Sequence, residues 1–501
     1  MESPHEIAAS RFRAVRRDSR ETVIAGDATQ SRAADAARLV LLGLGISVVP
    51  LDTSVNIAFP EITGSFGLPI AMIQWVVICY VLTHAGLMLA CGRIGDMWGH
   101  ATVFRAGLLW SIVAFLLCAA APGFGWLLFA RFLQGISAGL ILSCAPALVT
   151  SLYPEARRSH ALAMFTLMFA IGSAAGPLIG GLLVARWGWP AVFWFRAPIA
   201  LTSLLLLRGL PRAVAGREQR FDIVGAVLLA LGLAALLLAV NGLARIKQAD
   251  YLSALLFPAA AASLVAFVWW ERRAAEPMVR IELFRRAAFA IANLASSLIY
   301  LVTFSVMLIA PYFIKPLFIA AHGTFWGGIA AGGVLASGFI TMSAVSPFAG
   351  RLVARFGPAR IAPLGALLIG SGLFLVGLWR ADSGPAAMVL TLAVQGAGTG
   401  LFQVAYMEIV IGGLPLADRG VAGSLAMLTR TIGTVTGAAL LTLAFQAVDA
   451  AARVSGSAGP EAFLTAFHAV FRSCGIAAVL VGALIAVTAR WSASGSSGRG
   501  L

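Results

Sequence analysis

Fourteen apolar runs of about 20 residues recur between Arg38 and Arg490, and no other feature constrains the fold as tightly. That length is what an α-helix needs to cross a hydrocarbon layer about 30 Å thick. Inside such a layer backbone amides find no water, so each crossing must be a helix or part of a closed barrel. A barrel would show alternating segments of about ten residues, whereas these runs are continuous. The chain is 60% hydrophobic and 11% charged, where soluble domains carry about 25% charged residues. The sequence therefore predicts an all-α polytopic membrane protein with short loops.

The formal net charge of +15 invites a nucleic-acid reading, but its distribution argues for orientation instead. With the N-terminus placed in the cytoplasm, most of the 36 Lys and Arg residues fall on the cytoplasmic side. They include Arg11 to Arg38, Arg157 and Arg158, Arg208 to Arg220, and Arg272 to Arg286. Such a bias sets topology, so both termini are expected in the cytoplasm and nucleic acid is not an expected partner. Residues 1–37 lack the short apolar core of a signal peptide and read as a cytoplasmic tail. Residues 491–501, rich in Ser and Gly, read as a flexible tail.

Several chemistries are excluded by what the chain lacks. Its five cysteines sit singly within apolar runs, so packing explains them better than a disulfide or a metal. Its two lysines, Lys247 and Lys315, each follow Ile, so no Walker A loop can be written and ATP is not the direct energy source. No HExxH or GxSxG occurs. No cofactor, metal or catalytic residue is expected, and an ion gradient remains as the driving force.

Two segments repeat. Gly92-Arg-Ile-Gly-Asp-Met-Trp-Gly99 is echoed by Gly350-Arg-Leu-Val-Ala-Arg-Phe-Gly357, an offset of 258 residues. Gln134-Gly-Ile-Ser-Ala-Gly-Leu140 is echoed by Gln395-Gly-Ala-Gly-Thr-Gly-Leu401, an offset of 261. Matching offsets imply two related six-helix halves, 38–210 and 288–490, with an inserted two-helix pair and its cytoplasmic linkers at 211–287. Internal repeats of this kind mark transporters, with the substrate site near the bilayer midplane between the halves.

On these residues the chain resembles the fourteen-spanner drug:proton antiporters of the major facilitator superfamily. Leu51-Asp-Thr-Ser-Val-Asn-Ile-Ala-Phe-Pro60 is similar to that family's first-helix signature. Gly92, Arg93, Asp96 and Gly99 resemble its gating loop, and Arg131-Phe-Leu-Gln-Gly135 its fourth-helix motif. Gly172, Gly176, Pro177, Gly180 and Gly181 resemble the fifth-helix motif associated with antiporters. There are departures: Met97, His100 and Ala101 stand where basic residues are usual, Ala354 replaces an acid, and Arg196 replaces Asn before Ala197-Pro198. The resemblance implies a major-facilitator-type fold with fourteen transmembrane helices in a bacterial cytoplasmic (inner) membrane. It also implies proton-coupled export of small amphipathic compounds by alternating access. An uptake symporter or facilitator on the same scaffold is the alternative, and an intramembrane enzyme is disfavoured because no nucleophile cluster is found. The expected partners are the lipid bilayer, protons and a small-molecule substrate, with a monomer as the unit.

Depth selects the mechanistic candidates. At 1.5 Å per residue, Asp52 lies about 12 Å and Arg131 about 9 Å from the outer ends of their helices, so the two share a level. An intramembrane charge needs a partner or a water-filled cavity. Asp52 is therefore expected to take and release the coupled proton against Arg131, the alternative being a permanent structural ion pair. Arg430, about 15 Å into its helix, is a candidate cavity residue unless it merely bonds helix carbonyls. Glu408 and His84 are further cavity candidates, against snorkelling for Glu408 and plain packing for His84. Asp96 is expected to latch a helix N-terminus of the other half, or else to cap a turn. Gly172, Gly176 and Gly180 share one helix face that permits close backbone approach, and with Pro177 and Gly181 are expected to seal or pivot the interface between halves. The few membrane acids set beside Arg131, Arg196 and Arg430 favour neutral or anionic substrates over dications.

Overall fold

The computed structural model describes residues 42–151, 158–207, 222–242, 251–274, 284–412 and 416–496. The expected tail 1–37 and the linkers 208–221 and 275–283 lie outside the described residues. The chain enters through α1 (Leu42–Ile57), which meets α2 (Phe59–Ser65) at 60°. Pro60 stands at the start of α2, where its missing amide removes a hydrogen bond that would hold the helix straight. There follow α3 (Gln74–Trp98), α4 (His100–Ala119), α5 (Phe124–Ser151), α6 (Arg158–Trp187) and α7 (Ala191–Leu206). The expected inserted pair corresponds to α8 (Ile223–Gly242) and α9 (Tyr251–Glu271). The rest is α10 (Ala287–Leu308), α11 (Ala310–Phe356), α12 (Pro358–Val376), α13 (Pro385–Met407), α14 (Leu416–Val454) and α15 (Gly459–Ser496).

Among the described residues, nine helical stretches are long and apolar enough to cross a membrane, ten when α1 and α2 form one bent crossing. The expected count was fourteen. Part of the difference comes from Ala287–Phe356, which runs as one 70-residue stretch broken in direction at Gly323, with φ of 74°. Helix runs on both sides of that glycine. Lys315 lies in the first arm of this stretch with its side chain buried. The segments Ala191–Leu206, Val227–Leu236 and Leu255–Glu271 are apolar but shorter. At the C-terminus, α15 continues to Ser496, past the expected limit of 490.

The internal repeat is visible in the backbone. Gly99 (φ 86°, ψ 127°) and Gly357 (φ 81°, ψ 148°) close the two echoed octets in the same left-handed geometry. L-residues with a Cβ avoid that region. The positive-φ glycines among the described residues pair across the halves: Gly67 with Gly323, Gly99 with Gly357, and Gly188 with Gly456. The other echo packs equivalently as well. Gly135 and Gly139 of α5 lie against Tyr80 and His84 of α3, as Gly396 and Gly400 of α13 lie against Gly338 and Met342 of α11. Small residues let these backbones approach closely where lipid supplies no hydrophobic drive.

The turns divide the bundle into two ends, a Gly67 end (with Gly188, Gly323 and Gly456) and a Gly99 end (with Gly357). The first half has its own core of Leu42, Phe104, Phe115, Ile141 and Ala200. The inserted α8 packs on α3 of one half, where Gly86 meets Ala230, and on α14 of the other. It therefore bridges a seam between halves.

Candidate functional site

Within α1 the backbone tightens into a 3₁₀ turn at Pro50–Thr53, and this turn carries Asp52. Arg131 of α5 grips the carboxylate with a two-pronged fork, Nη1 to Oδ1 at 2.7 Å and Nη2 to Oδ2 at 2.9 Å. Gln134, one turn along α5, donates to Oδ1 at 2.9 Å and accepts from Arg131 Nη1 at 2.8 Å. From α7, Arg196 Nη1 donates to the same Oδ1 at 2.7 Å. Both guanidiniums are enclosed: Arg131 is 1% and Arg196 0% exposed.

Neighbours add to the pairing. Arg131 Nε donates to the Val76 carbonyl at 2.9 Å, and Arg196 Nε to Val192 at 3.1 Å. The Arg131 guanidinium stands 4.3 Å from the Tyr80 ring centre, and that of Arg196 stands 4.4 Å from Phe115. Such stacking suits a planar, weakly hydrated cation. One carboxylate between two guanidiniums leaves the cluster with a formal charge of +1. Breaking a buried ion pair by removing one partner costs about 3–5 kcal/mol, so the three charges stand or fall together.

The pairing of Asp52 with Arg131 agrees with the equal-depth expectation. Depth arithmetic overlooked Arg196, although it lies about 9 Å along its own helix by the same rule. It also overlooked a second ion pair, Lys315 of α11 with Glu61 of α2. Lys315 Nζ donates as well to the Ile57 carbonyl at 3.2 Å. Nearby, Tyr312 hydroxyl donates to the Phe59 carbonyl at 3.3 Å, and Asn56 Nδ2 lies 3.0 Å from Met307 Sδ. These contacts join the two halves toward the Gly67 end.

The antiporter-like glycines divide between two partners. Gly172 faces Ser47 and Pro50, Gly176 faces Thr53 and Ser54, and Gly180 faces Ser54 and Ile57, all on α1 of the same half. Gly181 and the Pro177 carbonyl face Gly328 and Gly332 of α11. The three-glycine face thus holds α6 against the helix bearing Asp52, and its neighbours form the seam between halves. Farther along that end, Ile78 of α3 packs with Val435 and Ala438 of α14.

The expected gating loop is not a loop. Gly92, Arg93 and Asp96 belong to the last turns of α3, and Gly99 alone makes the turn. The helix persists because Gly95 lets α3 pack closely on Cys144 of α5, so its glycine serves packing rather than a bend. The side chains of Arg93 and Asp96 lie outside the described residues. His84 Nδ1 lies 3.2 Å from the Tyr80 carbonyl and its ring 5.1 Å from the Tyr80 ring. The Arg430 guanidinium stands 4.8 Å from the Tyr300 ring centre. Glu408 is exposed at the first position of a π-helical turn, Glu408–Gly412. Among the described residues, none of these three bonds to the Asp52 cluster. Arg472 holds the Gly377 carbonyl at 3.0 Å, at the end of α12.

A family model described as Major Facilitator Superfamily matches residues 41–331. The chain is 28% identical over 407 residues to multidrug resistance protein Stp of Mycobacterium tuberculosis, covering 80% of this chain and 74% of that protein. It is 29% identical over 416 residues to the tetracenomycin C resistance and export protein of Streptomyces glaucescens, again covering 80% and 74%. In fold it matches the crystal structure of a bacterial homologue of the human lysosomal transporter Spinster, in an inward-facing, unoccupied conformation. The TM-score there is 0.66 at 15% identity, over 91% of this chain and 97% of that one.

Proposed function

The chain belongs to the Major Facilitator Superfamily, and from that premise we propose that it exports small amphipathic compounds by exchanging them for entering protons. It is a multi-pass integral protein of the bacterial inner membrane. The observation that carries the reading is the Asp52 carboxylate held between Arg131 and Arg196 inside the first half. Intramembrane charges of this kind are functional by default. The described arrangement is the ionised one. When a proton reaches Asp52 both guanidiniums lose their counter-charge, so α1, α5 and α7 must rearrange. That couples protonation to the geometry of the half.

Fourteen crossings and cytoplasmic termini complete the proposed topology. The apolar segments 191–206, 227–236 and 255–271 cross as shorter helices, and Ala287–Phe356 makes two crossings that turn at Gly323. The excess of Arg on one side places the Gly99 end in the cytoplasm, so the Gly67 end faces out. The named contacts between halves then lie toward the outside, as expected for an inward-facing stage. Gly181 and Pro177 seal that side against α11, Asp96 acts at the cytoplasmic end, and Arg430, His84 and Glu408 line the route between halves. The net positive Asp52 cluster, with Arg430 across from it, suits neutral or anionic amphiphiles. The resistance and export named for the two relatives agree with outward movement. Everted membrane vesicles with an imposed pH gradient test the reading: substrate accumulates against its gradient in wild type and not with Asp52→Asn. Undiminished pH-driven accumulation by that variant overturns it.

A further inference from the structure

We propose that Glu61 is a second proton-binding carboxylate, whose protonation from the outer side releases Lys315 and lets the two halves part at the Gly67 end. This rests on the exporter reading above. The two acids differ in how they are held. Asp52 accepts from Arg131, Gln134 and Arg196, with donors on both oxygens. Glu61 has Lys315 as its ion-pair partner, while its Oε2 is enclosed without a hydrogen-bond donor among the described residues. Its side chain keeps 30% of its surface exposed, against 2% for Lys315. A proton therefore has a route to Glu61 and an open lone pair to occupy.

Position makes this pair consequential. It links α2 of the first half to α11 of the second. Beside it, Tyr312 of α11 reaches Phe59 and Thr63 of α2. The Ile70–Ile73 turn packed on α2 brings no ionisable group. From α11 the ionisable groups at this end are Lys315, Tyr312 and His322, whose ring stacks on Phe318 of its own helix, while Arg351 and Arg355 lie at the opposite, Gly357 end. Glu61 thus answers chiefly to one cation. Neutralising it strands the Lys315 ammonium in an apolar seam with the Ile57 carbonyl as its remaining partner. Such a charge is relieved when the seam opens to water. The step is balanced without a co-reactant: a proton from the outer medium joins the Glu61 carboxylate, and the ion pair becomes a neutral acid and a hydrated ammonium.

The test uses the full chain in nanodiscs, with its native cysteines replaced and spin labels at Gly123→Cys and Gly384→Cys. These two sites have open space on opposite halves at the outer end. Lowering the pH is expected to lengthen the inter-label distance in wild type. Glu61→Gln is expected to hold the longer distance at every pH; should it fail to fold, Lys315→Gln, which has no ammonium to release, is expected to lose the pH response. A wild-type distance that ignores pH, or a pH response that survives in Glu61→Gln, overturns the proposal. Asp52→Asn separates the two readings: loss of driven transport with the distance response intact supports both. Retained transport in Asp52→Asn defeats the exporter mechanism and leaves the Glu61 response to be judged by the distances.

Discussion

Arg196 Nη1 approaches Asp52 Oδ1 to 2.7 Å, the same distance at which Arg131 Nη1 meets that atom from another helix. A single carboxylate therefore ties α1 to both α5 and α7. Neither arginine is locally placed: they lie 79 and 144 positions along the chain from the acid.

The cluster is expected to show strong non-additivity. Asp52→Asn leaves two buried guanidiniums uncompensated, a loss of about 3–5 kcal/mol. Arg196→Asn leaves Asp52 with Arg131 and costs about 1–3 kcal/mol. The double variant returns the cluster to its original net charge of +1, with Arg131 as the one uncompensated guanidinium, and is expected to be more stable than Asp52→Asn alone. Thermal unfolding of the three proteins in one detergent checks this, and simple addition of the two losses contradicts it.

Two glycines on α6 are expected to fail differently. Gly172→Ala presses into Pro50 of the same half, so folded yield and melting temperature fall. Gly181→Ala overlaps the Gly328 backbone across the seam, so the protein folds but cannot close its Gly67 end. Label accessibility at that end, measured beside expression level, separates the two outcomes.

Within the second octet, alanine is expected to act with opposite signs. Gly357 holds φ of 81°, a region where a Cβ costs about 1–2 kcal/mol. Gly350 is helical with open space around it, and alanine there adds about 0.5–1 kcal/mol of helix stability. Melting temperatures of Gly357→Ala and Gly350→Ala should straddle wild type; two shifts of one sign count against the assignment.

Substrate charge offers an independent check. The Asp52 cluster carries a net positive charge and Arg430 adds another in α14. Dicationic dyes are expected to be poor substrates, and neutral or anionic amphiphiles good ones, in accumulation assays with an efflux-deficient host. Tight, efficient efflux of a dication would refute the charge argument.

Much of this was legible in the residues. Apolar run length announced helices, and the echoed octets announced a repeat that reappears as Gly99 and Gly357 in one backbone geometry. Depth arithmetic paired Asp52 with Arg131. Residue pattern alone gave Lys315 no partner, because a lone lysine in an apolar run looks the same whether water or a carboxylate receives it. It also misread Gly92 to Asp96 as loop, because glycine signals either a turn or a close helix contact, and Gly95 beside Cys144 is the second.

The linear order of residues determined the material of the protein: membrane-crossing helices, two related halves, and charges confined to a few levels. The bilayer enforces those outcomes on each segment by itself, since every crossing must meet its own hydrogen bonds. Which charges share a partner was decided by tertiary structure alone. Arg196 turning onto Asp52, and Lys315 reaching Glu61 across the halves, depend on how helices rotate and tilt against one another. Side-chain packing over the whole bundle sets those angles, and no local pattern encodes them.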